Sequence, residues 1–370
     1  MKVAIVHDWL SSRGGAEGVL LSLLEIFPNA KIYTSVFDEK RLPEFRSCEI
    51  ETSFINNLPY GKKRPQFYVS FMPRAFESFD LSDYNLVISN SHFASKGVIT
   101  KPETLHLCYC HTPTRYLWLP QIDPRMSDSI VKRFASHKLR IWDFQAAQRP
   151  DKIIANSKTV SKRIEKIYRR KAEVIYPSIK TSGFNPVKSK NELGDYFLFV
   201  SRLISYKKPE LVIQAFNELK KPLKIIGRGP DYVKYKKMSK KNIEFLGEVS
   251  LDELKKYYSR ALALIFPGEE DFGIVAVEAM SAGRPVIAYK KGGMTEIIKE
   301  GISGLFFQGQ DIKDLKKAIL KFKPGDFDPT KIIKEAKKFD EDIFKNKFLG
   351  YTKREFSIFN SQFSNKKGGA

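Results

Sequence analysis

Short apolar runs alternate along this chain with longer segments whose apolar residues recur every three or four positions. That is the pattern of parallel strands buried on both faces and separated by amphipathic helices. Val3-Ala-Ile-Val6 is the first run, followed by the turn Gly14-Gly-Ala-Glu-Gly18 and a helix with Val19, Leu20, Leu23 and Leu24 inward. Lys31 to Ser35, Asn85 to Ser89, Thr104 to Cys110 and Lys152 to Ala155 read as further strands. A long helix is predicted from about Asp128 to Ala147, stopped by Pro150. Asn156-Ser157 caps another, with Val160, Ile164 and Ile167 inward and a basic outer face from Lys158 to Arg170. Phe67, Tyr68, Phe71, Met72 and Phe76 recur at helical spacing beside Lys62, Lys63 and Arg64. After a polar connection from Tyr176 to Asn191 the alternation restarts, with strands at 196–200, 223–226, 243–246, 261–266 and 285–288. Helices at Lys313–Lys321, Thr330–Lys338 and Glu341 to about Phe356 close the chain, leaving 357–370 as a tail with a disordered end from Lys366. The chain thus reads as two α/β domains with parallel sheets, divided near residues 177 and 178.

Length agrees with two domains, since 370 residues exceed one ordinary core. Charge narrows the partners: 64 Lys and Arg against 42 acids give +22, which favours nucleotides, acidic lipid headgroups or nucleic acid. The longest apolar runs fall short of the ~18 residues of a spanning helix. Together with three cysteines read as reduced, this points to a cytoplasmic protein. Neither Gly14 to Gly18 nor Gly227-Arg-Gly229 completes G-x-G-x-x-G, which disfavours hydride transfer.

Candidate chemistry concentrates in Phe266-Pro-Gly-Glu-Glu-Asp-Phe-Gly-Ile-Val-Ala-Val-Glu-Ala-Met280, read as strand end, acidic loop and helix. Gly273 lets the chain turn tightly, so the N–H groups of Gly273, Ile274 and Val275 form an anion site. Glu270 and Glu278 bracket it, placed to accept hydroxyls at the two ends of a nucleotide sugar; the alternative is a dipole-complementing acid and a solvated one. Arg202 and Lys207 follow the strand 196–200 and suit two phosphates, one as a planar fork and the other as a mobile charge. His111 ends the strand 104–110, where ligands of parallel sheets collect.

Glu270-x7-Glu278 with Phe-Gly-Ile between, Glu278-Ala-Met-Ser-Ala-Gly-Arg-Pro-Val-Ile287, Gly292-Gly-Met-Thr-Glu296 and Val200-Ser-Arg-Leu-Ile-Ser-Tyr-Lys-Lys-Pro209 together resemble the retaining glycosyltransferases of family 4, the group 1 glycosyl transferases. The resemblance implies the GT-B fold: two Rossmann-like domains facing a central cleft. They would be an acceptor-side domain of residues 1–177 joined by the returning helix at about 341–356, and a nucleotide-sugar domain of 178–340. It also implies roles: Arg202 and Lys207 on the departing diphosphate, Glu270 on the sugar hydroxyls, Glu278 on the ribose, and His111 of His111-Thr-Pro113 beside the reacting sugar. Gly14 and Gly15 would face the donor diphosphate. The backbone of Leu246, Gly247, Glu248 and Val249 would receive the base, and Phe272, Gly273, Ile274 and Val275 would line the donor.

The function implied is retaining transfer of a hexose to a glycan or lipid-linked oligosaccharide in surface polysaccharide synthesis, without metal or other cofactor. Asp8-Trp-Leu, His111 to Trp118 and Leu203 to Ala215 resemble the GDP-mannose-dependent branch, with a UDP-sugar donor as the alternative. The Asp-x-Asp pairs at 326–328 and 340–342 lie among late helices and read as caps or turn acids. The basic and aromatic segments suggest peripheral attachment to an anionic membrane. A non-catalytic polyanion or nucleic-acid binder is the competing class; no nucleic-acid motif accompanies the charge.

Overall fold

The computed structural model describes residues 1–123, 130–187 and 189–367 and divides the chain into two compact units. Asp128, where the long helix was expected to begin, and the last three tail residues lie outside the described residues. One unit comprises Met1–Ser178 with Asp342–Ala370, the other Ile179–Glu341.

The first unit is built on seven parallel strands: β1 Val3–His7, β2 Lys31–Thr34, β3 Ile50–Thr52, β4 Leu86–Ser91, β5 Leu105–Cys110, β6 Lys152–Ala155 and β7 Ala172–Val174. Their order is β3-β2-β1-β4-β5-β6-β7, with Ile5 registered between Ile32 and Ile88. Because strand side chains alternate, Ile5, Ile88 and Leu107 face one side, packing with Leu20 and Leu23 of the helix Gly15–Ile26. Ala4, Val6 and Val87 face the other side with Met72, Phe76 and Leu139, and the same side continues through Cys108, Cys110 and Ile153 against Val160 and Ile164. The chain winds outward in both directions from β1 and β4, so their carboxyl ends border the crevice where such sheets bind ligands.

The second unit repeats this winding with β8 Phe197–Val200, β9 Leu223–Ile226, β10 Ile243–Gly247, β11 Leu264–Phe266, β12 Val286–Tyr289 and β13 Gly304–Phe307, in the order β10-β9-β8-β11-β12-β13. Its switch point lies between β8 and β11. Both sheets are the parallel, doubly wound type that the hydrophobic pattern implies.

Three expectations need correction. The last helix runs unbroken from Glu341 to Lys367, with Phe344 and Phe348 against Tyr109 at ring distances of 5.8 and 6.3 Å. Phe359, partly buried against the same core, carries that packed face into the stretch whose composition reads as a tail. The aromatic segment at 67–76 is not one helix but a 3-10 turn, Pro65–Tyr68, and a separate helix, Met72–Glu77. Pro73 lacks the N–H that a continuous helix would need there, yet fits a first turn. Finally, β11 begins at Leu264 because the Ala261 N–H closes the preceding helix on Tyr257 and Tyr258 carbonyls.

Candidate functional site

In the second unit the loop after β8 and the loop after β11 meet. Lys207 Nζ forms an ion pair with Glu270 Oε1, and Glu270 is nine-tenths buried. Two glycines fix the Glu270 backbone. A Cβ on Gly292, which sits at φ +64°, would lie 2.3 Å from the Glu270 carbonyl oxygen, and Gly293 N–H donates to that oxygen at 2.9 Å. Gly273 adopts φ +115° at the head of the helix Ile274–Ser281, which has no side-chain cap. Among the described residues, no acceptor takes the N–H of Ile274 or Val275. The helix end therefore offers donors and positive potential to an anion.

Arg202 is exposed on the adjoining loop. Its position depends on Gly227 at φ +125°, where a Cβ would stand 2.0 Å from the Ser201 carbonyl oxygen. Leu203 N–H donates to Arg228 O at 3.0 Å, which draws the loops after β8 and β9 together. Arg228 lies over the Tyr232 ring at 5.5 Å and beside Gly247, whose carbonyl accepts from Gly227 N–H at 2.7 Å. The segment from Leu246 to Val249 thus borders a second guanidinium, which sequence reasoning passed over; its position in a Gly-Arg-Gly strand end was the available signal. Glu278 does not join the Lys207–Glu270 pair. Its Oε2 accepts from Tyr258 Oη at 2.8 Å, and burial raises its carboxyl pKa while that bond lowers it. The Phe272 ring is buried against Phe339, centroids 5.4 Å apart, which leaves its backbone to a ligand.

In the first unit, Gly14 heads the helix beginning at Gly15, and both glycines are exposed. Beneath them runs a relay of polar groups, buried except for the half-buried His111. His111 Nε2 lies 2.6 Å from Asn90 Oδ1; Asn90 Nδ2 donates to Ala16 O at 2.8 Å and to His7 Nδ1 at 3.1 Å; His7 Nε2 lies 3.3 Å from Glu17 Oε1. The Ala16 carbonyl can only accept, which fixes the Asn90 amide and with it the protons. His111 must donate from Nε2, leaving Nδ1 as its lone-pair nitrogen. Burial, with His92 and His7 adding to it, pushes His111 down to about 3, so the ring is neutral near pH 7.

Asp8 holds the strand end. It accepts four backbone N–H bonds, from His92, Phe93, Ala94 and Ser95, at 2.6 to 2.8 Å. Burial opposes its charge, but His92 and these donors hold its carboxyl well below the usual range. The loop after His111 is tied by Asp143, which accepts from Lys96 Nζ at 2.6 Å, Thr114 Oγ1 at 2.8 Å, Trp118 Nε1 at 2.7 Å and Tyr168 Oη at 2.7 Å. Sequence reasoning singled out His111 but not Asn90, His7 or Asp143, which no local motif marks, and read Glu17 only as part of the glycine turn.

Elsewhere, Asp328 caps the helix Pro329–Ala336, and Asp340 accepts a long-range hydrogen bond from Thr181, so one acid of each Asp-x-Asp pair is engaged within the protein. Among the described residues, no group of three or more His, Cys, Asp or Glu could hold a metal ion. Among them also, no helix is long and apolar enough to cross a membrane. Cys48, Cys108 and Cys110 are free.

Residues 13–182 match the model of Glycosyltransferase Family 4, and residues 184–339 that of Glycosyl transferases group 1. An uncharacterized glycosyltransferase of Methanocaldococcus jannaschii is 35% identical over 201 residues, 52% of this chain and 55% of that protein. A D-inositol 3-phosphate glycosyltransferase of Mycobacterium marinum is 25% identical over 202 residues, 48% and 43% of the two chains. The chain spans about half the length of the curated relatives it matches. Among solved structures, Anabaena HepE in complex with UDP and glucose superposes at TM-score 0.71 and 18% identity, covering 95% of this chain and 99% of that one. Sucrose-phosphate synthase from Thermosynechococcus elongatus gives 0.77 at 17% identity, with coverage of 97% and 100%.

Proposed function

We infer, from a chain whose two parts match the family 4 and group 1 glycosyltransferase models and whose fold is GT-B, that it transfers a hexose from a nucleoside diphosphate sugar with retention of anomeric configuration. The observation carrying this reading is the second unit's switch point, where Lys207 pairs with a fixed carboxylate, Glu270, and the same two loops carry Arg202 and lead to the open N–H groups of Ile274 and Val275. Bound diphosphate would displace Lys207 toward its own oxygens and release Glu270 to accept sugar hydroxyls. Arg202, Lys207 and the helix end then stabilise charge as it grows on the leaving phosphate. Glu278 keeps one oxygen on Tyr258 and turns the other to the ribose. The base lies along Leu246 to Val249.

In the reaction the anomeric C1–O bond to the diphosphate breaks as the acceptor oxygen bonds to C1 on the same face. The acceptor proton passes to the departing phosphate oxygen, so no carboxylate nucleophile is needed. Neutral His111, held by Asn90, offers Nδ1 to a sugar hydroxyl. Positive residues supply the potential that a metal ion provides in other transferases.

GDP-mannose is the donor put first, on the resemblance of His111 to Trp118 and Leu203 to Ala215 to mannosyltransferases of surface polysaccharide synthesis; the acceptor is a glycan or lipid-linked oligosaccharide. A UDP-sugar is the second reading, supported by the likeness to a protein bound to UDP and glucose. Thermal shift with GDP-, UDP-, ADP- and TDP-sugars decides between them. The largest stabilisation is expected with GDP-mannose; a larger one with a UDP-sugar selects the second reading, and none with any nucleotide sugar overturns the donor site.

A further inference from the structure

One side of the first unit's sheet carries an outer surface that the transfer reaction does not use. Residues 52–76 contain no acid but include Lys62, Lys63, Arg64 and Arg74, all exposed. The same segment exposes Tyr60 by 69%, Phe67 by 61% and Phe71 by 54%, fractions at which a ring rests in water instead of packing. The neighbouring helix, Ile130–Ala146, repeats the composition: residues 133–142 contain no acid, and Phe134 and Ile141 stand 63% and 50% exposed. In both segments a cation lies over an exposed ring, Arg64 over Phe67 at 5.4 Å and Lys138 over Phe134 at 5.0 Å.

The two segments are adjacent. Trp142 of the long helix donates to Glu77, at the end of the helix Met72–Glu77, at 2.9 Å, and Arg149 binds the same carboxylate at 2.6 Å. Glu77 is thereby neutralised. Both segments pack through Met72, Phe76 and Leu139 onto the sheet face bearing Ala4, Val6 and Val87. The helix Lys158–Tyr168, with Lys162 and Lys166 exposed, covers the continuation of that same face. Three elements layered on one side of one sheet turn their outer surfaces the same way.

We propose that this face is a docking surface for an anionic lipid bilayer, with Tyr60, Phe67, Phe71, Phe134 and Ile141 entering the headgroup boundary and the surrounding Lys and Arg pairing with lipid phosphates. Phe and Ile have no polar handle, so their exposure among cations fits an apolar slab beneath negative charge. A nucleic acid would use the cations, but gains nothing from Ile141. Each cation near such a surface contributes about fivefold in partition, the equivalent of about 1 kcal/mol. The inference goes beyond the proposed reaction, since vesicle binding is read without donor or acceptor.

The test is co-sedimentation of the full chain with vesicles of phosphatidylcholine alone or mixed with phosphatidylglycerol, at physiological ionic strength. Binding is expected only with the anionic mixture. Lys62→Glu/Lys63→Glu/Arg64→Glu should weaken it by at least about 100-fold. Phe67→Ser/Phe71→Ser and Phe134→Ser/Ile141→Ser should each weaken it about tenfold while leaving heparin binding unchanged. These side chains are exposed, so urea midpoints should match wild type, and Phe67→Trp should gain fluorescence quenching from brominated lipid. Equal binding to neutral vesicles overturns the proposal. So does indifference to the apolar substitutions, which would leave a general polyanion surface, and so does sedimentation without vesicles, which would mark self-association.

Discussion

Replacing Lys96 by Met tests whether a buried ion pair anchors the loop that carries His111. Lys96 and Asp143 are 2% and 0% exposed, with Nζ 2.6 Å from Oδ1. Methionine keeps most of the volume and removes the ammonium, so little cavity forms. What remains is a carboxylate with three neutral donors, Thr114, Trp118 and Tyr168, and no compensating charge. Breaking such a pair from one side costs about 3–5 kcal/mol. With m of about 2 kcal/mol/M, the urea midpoint should fall by about 1.5–2.5 M. The assay is specific to this unit, because Trp9, Trp118 and Trp142 are the chain's three tryptophans and all belong to it.

The double variant Lys96→Met/Asp143→Asn removes both charges and should be less destabilised than the sum of the single variants by about 2 kcal/mol. A pH arm supplies an independent sign. Asp143 raises the Lys96 pKa above 10.5 despite burial, so the folded ammonium holds its proton more tightly than the unfolded one. Its contribution is complete below pH 10.5 and is lost as pH climbs through the folded value, and Lys96→Met should abolish that alkaline loss. A midpoint shift under about 0.3 M, or strict additivity, would refute the reasoning.

Arg202→Ala and Lys207→Ala should each slow glycosyl transfer by at least about 100-fold with unchanged unfolding midpoints, since a fixed charge on a leaving group is worth about 3 kcal/mol; near-normal turnover in both would remove them from the site. Transfer should persist in EDTA, and loss restored by Mg²⁺ or Mn²⁺ would contradict the assignment of positive potential to Arg202, Lys207 and the helix end. Burial holds His106 and His111 near 3, below the unfolded 6.5, so their contribution to stability is full above pH 6.5 and declines as pH falls toward 3. Tryptophan-detected unfolding between pH 7 and 4 should show that decline and His106→Gln should lessen it; a slope unchanged by the substitution would assign it to other groups.

The two parallel sheets were legible in the sequence because strands such as Val3–His7 and Leu105–Cys110 are buried on both faces and so stand out as apolar runs. The strands that escaped notice are short or poorly patterned. Ile50–Thr52 and Ala172–Val174 are three-residue edges with one neighbour each, and Gly304–Phe307 follows a turn and is only partly buried. Local chemistry also marked Glu270, Glu278, Gly273 and His111 as candidates, because strand ends and a helix start are where ligands of such sheets bind.

Only the tertiary structure decided which polar residues lie together. Lys207 and Glu270 are 63 positions apart in sequence, Asn90 and His7 83, Lys96 and Asp143 47, and no periodicity connects residues so separated. Strand order makes them neighbours: placing β4 beside β1 brings Asn90 level with His7, and placing β11 beside β8 brings the two loops of the acidic corner together. A strand's apolar run records that it is buried, because every residue of it meets the core. Its polar end residues are chosen by whichever strand lies alongside, and that choice belongs to the fold as a whole.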